Sequence, residues 1–480
     1  MTDPALLSAT DALAAMAQGT LSAEALTAAC YDRIEAKNPH LNAIVALRPR
    51  DEVLADARAV DAARAGGAAQ GPLAGLPMAI KDLAATKGIT TTWGSTIYRG
   101  HVPAQDDLLA ARIRGAGAIL IGKTNTPEFG LGSHSFNEVY GATRNPWDEG
   151  RSAGGSSGGA AVALAARMLP LADGSDMMGS LRNPAGWNAV YGFRPSWGLV
   201  PGDGPGDRFM ATLATDGPMA RTVRDLALLL SVIAGPEAAT PFPLAPGDYL
   251  AALEAPARPM RIGWLGDWGG AYGCESGILD LCRTALGRMQ DELGAVVIDL
   301  PPPFPAERLW QSWMSLRAFL NAGGRRALAN NPAHWAQLKP EMQWEIAQGR
   351  ELTLDALYDA STIRSQWYAR AARLFEDVDL LALPSAQVWP FPVEWRWPQT
   401  IEGRAMDTYH RWMEVVIPAS LAGLPALAVP VGFGGPGGGL PMGLQLIGRH
   451  GGDADVLAFG HRWNGIETFS TRLPPAIAPV

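Results

Sequence analysis

The chain has 480 residues, 48% of them hydrophobic and 18% charged, with a formal net charge of −8. A charged fraction below the ~25% of an average domain suits a large body with a well-buried core. No sustained run of Lys and Arg is present, so neither nucleic acid nor an anionic membrane finds the clustered positive charge that either requires.

The N-terminal MTDPALLSATDAL lacks a basic region leading into an apolar core, so no signal peptide is expected and a cytoplasmic location follows. Residues 5–65 are alanine-rich with apolar residues at helical spacing (Leu26, Tyr31, Ile34; then Val53, Leu54, Val60) and read as helices. GPLAGLPMAIKD (71–82) reads as a glycine turn and a short apolar strand ending at Lys81. A helix over 106–114 with Gly115 as its C-cap follows, then a strand over 118–121. This alternation predicts an α/β protein in which one large mixed sheet is covered by helices on both faces.

Gly117–Thr124 reads GAILIGKT and matches the phosphate-loop pattern GxxxxGK[ST]. The four intervening residues are themselves apolar, two of them β-branched isoleucines, and Pro127 opposes a helix running on from Lys123. The segment is therefore expected to be a buried strand. The three cysteines, Cys30, Cys274 and Cys282, are odd in number and lack CxxC spacing, which suggests a reducing compartment and small buried side chains. The seven histidines show no HExxH or other metal-ligand spacing, so neither a metal nor a cofactor is expected.

Residues 235–248 are proline-rich and aperiodic and read as a surface connection. Across 260–400 tryptophans accumulate, ten in all: 264, 268, 310, 313, 335, 344, 367, 389, 395 and 397. This region reads as a largely helical elaboration contributing to the substrate pocket of a single domain spanning 1–480. For any one tryptophan, core packing is the plainer reading. Short apolar strands return in DLLALPSA and PALAVPVGF. Val415–Gly448 carries no charge, yet its prolines and glycines suit buried strands better than a membrane span.

Chemistry concentrates in Gly150–Pro201. Gly154-Gly155-Ser156-Ser157-Gly158-Gly159 runs into an alanine-rich helix, and Gly174–Ser180 (GSDMMGS) is a second turn ending on serine. Glycines flanking a serine let the backbone approach a ligand closely. A flexible linker is the ordinary reading of such a loop, but this one lies between structured segments.

These stretches resemble the core of the amidase signature family, serine hydrolases with a Ser–cis-Ser–Lys triad. GLPMAIKD, GKTNTPEFGLGSHSFNEVYGATRNPWD, ASLAGLPALAVPVGF and GLPMGLQLIGRH extend the resemblance over most of residues 20–235 and 376–450. It implies Ser180 as nucleophile, Ser156 as the bridging serine behind a cis bond to Gly155, and Lys81 as base. It also implies an oxyanion hole from the backbone of Met177, Met178, Gly179 and Ser180. A serine must lose its proton as it attacks, and a lysine accepts that proton only when neutral, which burial promotes. The family's second turn usually ends Gly-Gly-Ser, so Met178 is a departure bearing on substrate size; Ala153, where proline is common, is a smaller one.

The expected function is hydrolysis of a small, hydrophobic or aromatic carboxamide or anilide to acid and ammonia or amine. One alternative is the amidase subunit of a transfer-RNA-dependent amidotransferase; another is a binding protein that has lost catalysis on the same scaffold. Expected partners are a small-molecule amide and at most a second copy of the chain.

Overall fold

Alanine-rich helices open the chain because serine caps start them. Ser8 accepts from the Asp11 amide ahead of Ala9–Ala17, and Ser22 from the Ala25 amide ahead of Ala23–Leu41. Arg50–Ala65 is the third. The computed structural model describes residues 3–202 and 206–477.

A main sheet of eight strands forms the centre. Its order is Val296–Asp299, Arg261–Trp264, Leu380–Pro384, Leu440–Ile447, Ala426–Gly434, Tyr191–Arg194, Thr215–Ala220 and Leu171–Asp176. The first three strands are parallel and the remaining pairs antiparallel. Every residue of Leu440–Ile447 is buried, including Gln445, whose side-chain amide donates to the Pro384 and Val415 carbonyls. The charge-free stretch is thus the short helix Ile417–Ala422 and two central strands. Among the described residues no helix is long and apolar enough to cross a membrane.

Two expectations need correction. Residues 260–400 supply helices, including Ala306–Gly324, Pro340–Glu351 and Leu354–Asp377, but besides the expected strand Leu380–Pro384 they also supply two unforeseen strands of the main sheet, Arg261–Trp264 and Val296–Asp299. Those two strands are only four residues long, so the tryptophan-rich helices around them dominate the pattern. The helix Leu108–Gly115 includes Gly115 as its last turn; the left-handed residue that ends the segment is Gly117 (φ 91°).

A separate three-stranded sheet holds Ile44–Val45, Ile119–Thr124 and Pro77–Lys81, with Ile119–Thr124 in the middle. Lys123 lies within that strand, fully buried, with its Nζ on Thr86 Oγ1 at 2.7 Å, and no helix begins there. The strand ending at Lys81 meets the edge strand Leu171–Asp176 of the main sheet. The Lys81 backbone N–H donates to both carboxylate oxygens of Asp173, at 3.1 and 3.2 Å. The lysine therefore arrives at the seam between the two sheets.

Candidate active site

Three segments converge at that seam: the end of the lysine strand, the loop before the helix Gly158–Ala165, and the turn after Leu171–Asp176. Lys81 is 1% exposed, and its Nζ donates to Ser156 Oγ and Ser157 Oγ at 2.8 Å and to Ser175 Oγ at 2.9 Å. Among the described residues it makes no ion pair. Burial pushes its amine down to about 7, against the opposing pull of Asp173, Asp216 and Asp176. Gly174 permits this approach: a Cβ there would lie 2.7 Å from Ser157 Oγ.

The Gly155–Ser156 peptide bond is cis. The two serine loops are joined where the Ser157 amide donates to the Ser180 carbonyl at 3.3 Å. Ser156 and Ser180 face one cavity of about 130 Å³. Apolar side chains line it (Leu83, Phe129, Leu131, Met177, Met178, Met413), together with Arg317, Asn321 and Arg325.

The second turn is held by a buried charge cluster. The Asp176 carboxylate receives Arg182 Nη2 at 3.0 Å and Arg194 Nη1 at 3.2 Å, all three side chains excluded from solvent. Arg182 also reaches the Val416 carbonyl at 3.0 Å and Gln445 Oε1 at 2.7 Å. The two guanidiniums hold the Asp176 carboxyl far below the usual carboxylate range despite its burial. The same carboxylate accepts from the Gly179 amide at 2.9 Å and the Leu181 amide at 3.1 Å.

That last pairing narrows the expected oxyanion set. The Gly179 N–H is turned onto Asp176, whereas among the described residues the amides of Met177, Met178 and Ser180 donate to no protein acceptor. Met178 does not fall in the positive-φ region, so its amide keeps an ordinary backbone despite the missing glycine. Gly179 takes φ 78°, and a Cβ there would lie 2.9 Å from both methyls of Val416. Met178 is 4% exposed and belongs to the core while also lining the cavity.

Sequence reasoning missed Ser157, Ser175, Asp173, Arg317, Asn321 and Arg325. None of the ten tryptophans between 260 and 400 lines this cavity. Trp268, Trp313 and Trp367 are buried in the core, and Trp395 is 51% exposed. What the helix Ala306–Gly324 brings to the site is polar. Trp310, Trp313, Arg317 and Asn321 are all buried on it, and their spacing of 3, 4 and 4 places the two polar residues on the stripe the tryptophans bury. Polar residues in an apolar stripe are the signal that could have found them.

The amidase family model matches residues 25–457. The chain belongs to the amidase signature family. It is 37% identical to a glutamyl-tRNA(Gln) amidotransferase subunit of Chloroflexus aurantiacus, with 99% of each chain covered. It is 33% identical to an acylamidase of Rhodococcus erythropolis, covering 98% of this chain and 97% of that one. Among solved structures, a bacterial aryl acylamidase superposes with a TM-score of 0.91 at 28% identity over 99% of both chains. A glutamyl-tRNA(Gln) amidotransferase subunit of Thermotoga maritima superposes with a TM-score of 0.77 at 27% identity, covering 100% of this chain and 99% of that one. The protein is an amidase signature enzyme, a hydrolase of carbon–nitrogen bonds.

Proposed function

We propose that the chain is a stand-alone amidase that hydrolyses a small carboxamide through an acyl-enzyme on Ser180. The observation that carries this reading is Lys81, fully buried, free of ion pairs and bonded to three serine hydroxyls, one of which shares a cavity with Ser180. An amine near 7 serves as a base at neutral pH, where an ordinary lysine does not.

In the proposed cycle, Ser180 Oγ attacks the carbonyl carbon while its proton passes to Ser156 and the Ser156 proton to Lys81. The oxyanion is met by the Met178 and Ser180 amides, a contribution of about 3 kcal/mol per donor in comparable sites. The C–N bond then breaks as the proton returns through Ser156 to the departing nitrogen, releasing ammonia or an amine. Water attacks the Ser180 ester by the same relay, freeing the acid. The apolar lining of Leu83, Phe129, Leu131, Met178 and Met413 supports a hydrophobic or aromatic acyl group. A cavity of about 130 Å³ lies below the ~300 Å³ at which pockets for drug-sized ligands begin, so that group is compact.

The sequence identity to amidotransferase subunits favours a second reading, in which the chain works within a complex. The closer superposition on the aryl acylamidase, 0.91 against 0.77, supports the stand-alone one. Purified chain offered a panel of primary amides and anilides, without a partner, is expected to release ammonia or amine. No turnover on any of them would contradict the proposal.

The same assay gives a pH dependence. With the Lys81 amine at about 7, kcat/KM should rise through pH 7 and level off above it, being about a hundredfold lower at pH 5. A profile flat from pH 5 to 9 would exclude a lysine base of this kind. The stability sign is separate: between about 7 and the ordinary 10.5 the unfolded chain holds a proton that the folded chain has lost. This lysine therefore adds stability as pH rises through that window.

Met178→Gly tests the acyl wall. Removing the thioether should enlarge the cavity and shift relative kcat/KM toward bulkier acyl groups by tens-fold to about a hundredfold. The melting temperature should fall too, because the side chain also packs in the core. A lower melting temperature with unchanged preference would mean that Met178 does not bound the acyl group.

A further inference from the structure

Lys81 stands between two cavities. Of the described residues, those walling the serine cavity include Ser156, Ser175 and Ser180 but not the lysine. Lys81 instead lines a second cavity of about 180 Å³, walled also by Leu83, Asp107, Asp173, Ser175 and Asp216. Ser175 and Leu83 belong to both walls. The base is thus reached from the substrate side through serine hydroxyls, and from the other side directly.

Strand geometry explains what the second wall presents. Side chains alternate faces along a strand, so Asp173 and Ser175 point one way from Leu171–Asp176 and Asp176 points the other. Asp216, on the neighbouring strand Thr215–Ala220, pairs directly with Ser175 in antiparallel register and shares its face. Asp173, Ser175 and Asp216 therefore stand together beside the lysine, while Asp176 is left to Arg182 and Arg194.

Three further charges surround Lys81, each engaged with other groups. Asp82, next on the same strand, accepts from Thr92 Oγ1 at 2.6 Å. Lys123, on the middle strand of the small sheet, donates to Thr86 Oγ1 at 2.7 Å. Asp107, ahead of the helix Leu108–Gly115, accepts from the Ala85 amide at 2.6 Å.

Exposure rises along the second cavity. Lys81 and Asp173 are buried, Asp216 is half-buried, and Gly202 at the rim is exposed. Burial raises the Asp173 carboxyl to about 6, against the pull of Lys123 and the Lys81 N–H. Beside it the Lys81 amine lies at about 7. Groups so close in proton affinity exchange a proton at little cost in either direction. The space also admits several water molecules, each of which takes ~30 Å³ in the liquid.

A base near 7 has to be reset. At neutral pH about half of such amines carry a proton and cannot accept one from Ser156. A compact acyl group filling the serine cavity closes the way out on the substrate side.

We infer that the second cavity is a proton-exchange port for Lys81, with Asp173 and Asp216 passing the proton to solvent. The Lys81 ammonium gives one proton to water in the port and becomes the neutral amine. The proton moves over the Asp173 and Asp216 carboxylates and leaves at the rim as hydronium, so only N–H and O–H bonds are exchanged. Both aspartates are positioning residues, since they act through Lys81. This inference rests on the amidase reading above and adds the route by which its base is reset.

The first test is the pH profile of kcat/KM. Asp173→Asn and Asp216→Asn each remove a negative charge facing the lysine, so the acid limb should move to lower pH by about half a unit or more. A fall in kcat with the limb unmoved in both variants would mark a merely structural role and overturn the inference.

The second test asks from which side the base is reached. Lys81→Ala joins the port to the Ser156 and Ser157 hydroxyls, and ethylammonium chloride is added as a replacement amine. Entry through the port should raise kcat by about tenfold or more, with saturation, while KM for the amide stays fixed. Adding Asp216→Asn should raise the half-saturating amine concentration about threefold or more. No rescue, or rescue in which the amine raises KM for the amide, would overturn the inference and leave the amidase reading intact. If the wild type turned over no amide, the amidase reading would fail, and melting temperature would then decide the port. Ethylammonium chloride should stabilise Lys81→Ala beyond an equal concentration of potassium chloride, and less so once Asp216→Asn is added. Equal stabilisation of both proteins would reject the port too.

Discussion

Replacing Ser180 with alanine is expected to remove amide hydrolysis by ~10³-fold or more while leaving the fold and melting temperature essentially unchanged. The second half follows from the structure. Ser180 is 7% exposed, and among the described residues its hydroxyl makes no hydrogen bond, so losing it strands no partner. Loss of activity therefore cannot be charged to unfolding. Retention of more than a few per cent of wild-type activity in a clean preparation would remove Ser180 from the proposed role.

Lys81→Ala and Ser156→Ala are each expected to lower kcat by ~10²–10⁴-fold, the range for removing a positioned proton-transfer group. The double variant should fall little further than the worse single one, because residues acting as one relay are not additive. The 2.8 Å contact between Lys81 Nζ and Ser156 Oγ is the basis for coupling them. Lys81→Ala also leaves Ser157 and Ser175 without their shared amine. It should therefore cost more stability than Ser156→Ala, on the order of 2–4 kcal/mol. Activity losses that multiply in the double variant would show that the two residues do not share a proton path.

The two serine loops were legible in the sequence because their function demands glycine. Gly174 and Gly179 occupy positions where a Cβ would strike Ser157 and Val416, and such demands leave a pattern that survives in the letters. The lysine strand was legible for the same kind of reason: Pro77–Lys81 is an apolar run ending in a charge, and every residue of it is buried. The eight-stranded sheet was readable at its centre, where the apolar runs at 426–434 and 440–447 are long. It was not at its parallel edge, where Arg261–Trp264 and Val296–Asp299 are four residues each.

The cavity wall was the hardest part to read. Arg325 sits beside Gly323, Gly324 and Arg326 in a segment that looks like a solvated helix end, and only the fold reveals that its Nε is buried. The tryptophans drew attention to the right region for the wrong reason. They pack the helices that carry the polar residues to the site. Gly179 illustrates a further limit: its glycine was readable, but the Asp176 carboxylate that captures its amide came from the three-dimensional turn.

The central claim is that Ser180, and no other serine of the cluster, carries the acyl group. The most direct measurement is mass spectrometry on wild-type protein quenched with acid during turnover of a short-chain p-nitrophenyl ester, followed by trypsin digestion. Cleavage after Arg167 and Arg182 isolates Met168–Arg182, which contains Ser175 and Ser180, while Ser156 and Ser157 fall in the preceding peptide. The account predicts an added acyl mass on Met168–Arg182, placed on Ser180 by fragmentation and absent from Ser180→Ala. An acyl group on Ser156, Ser157 or Ser175 in the wild type would contradict it.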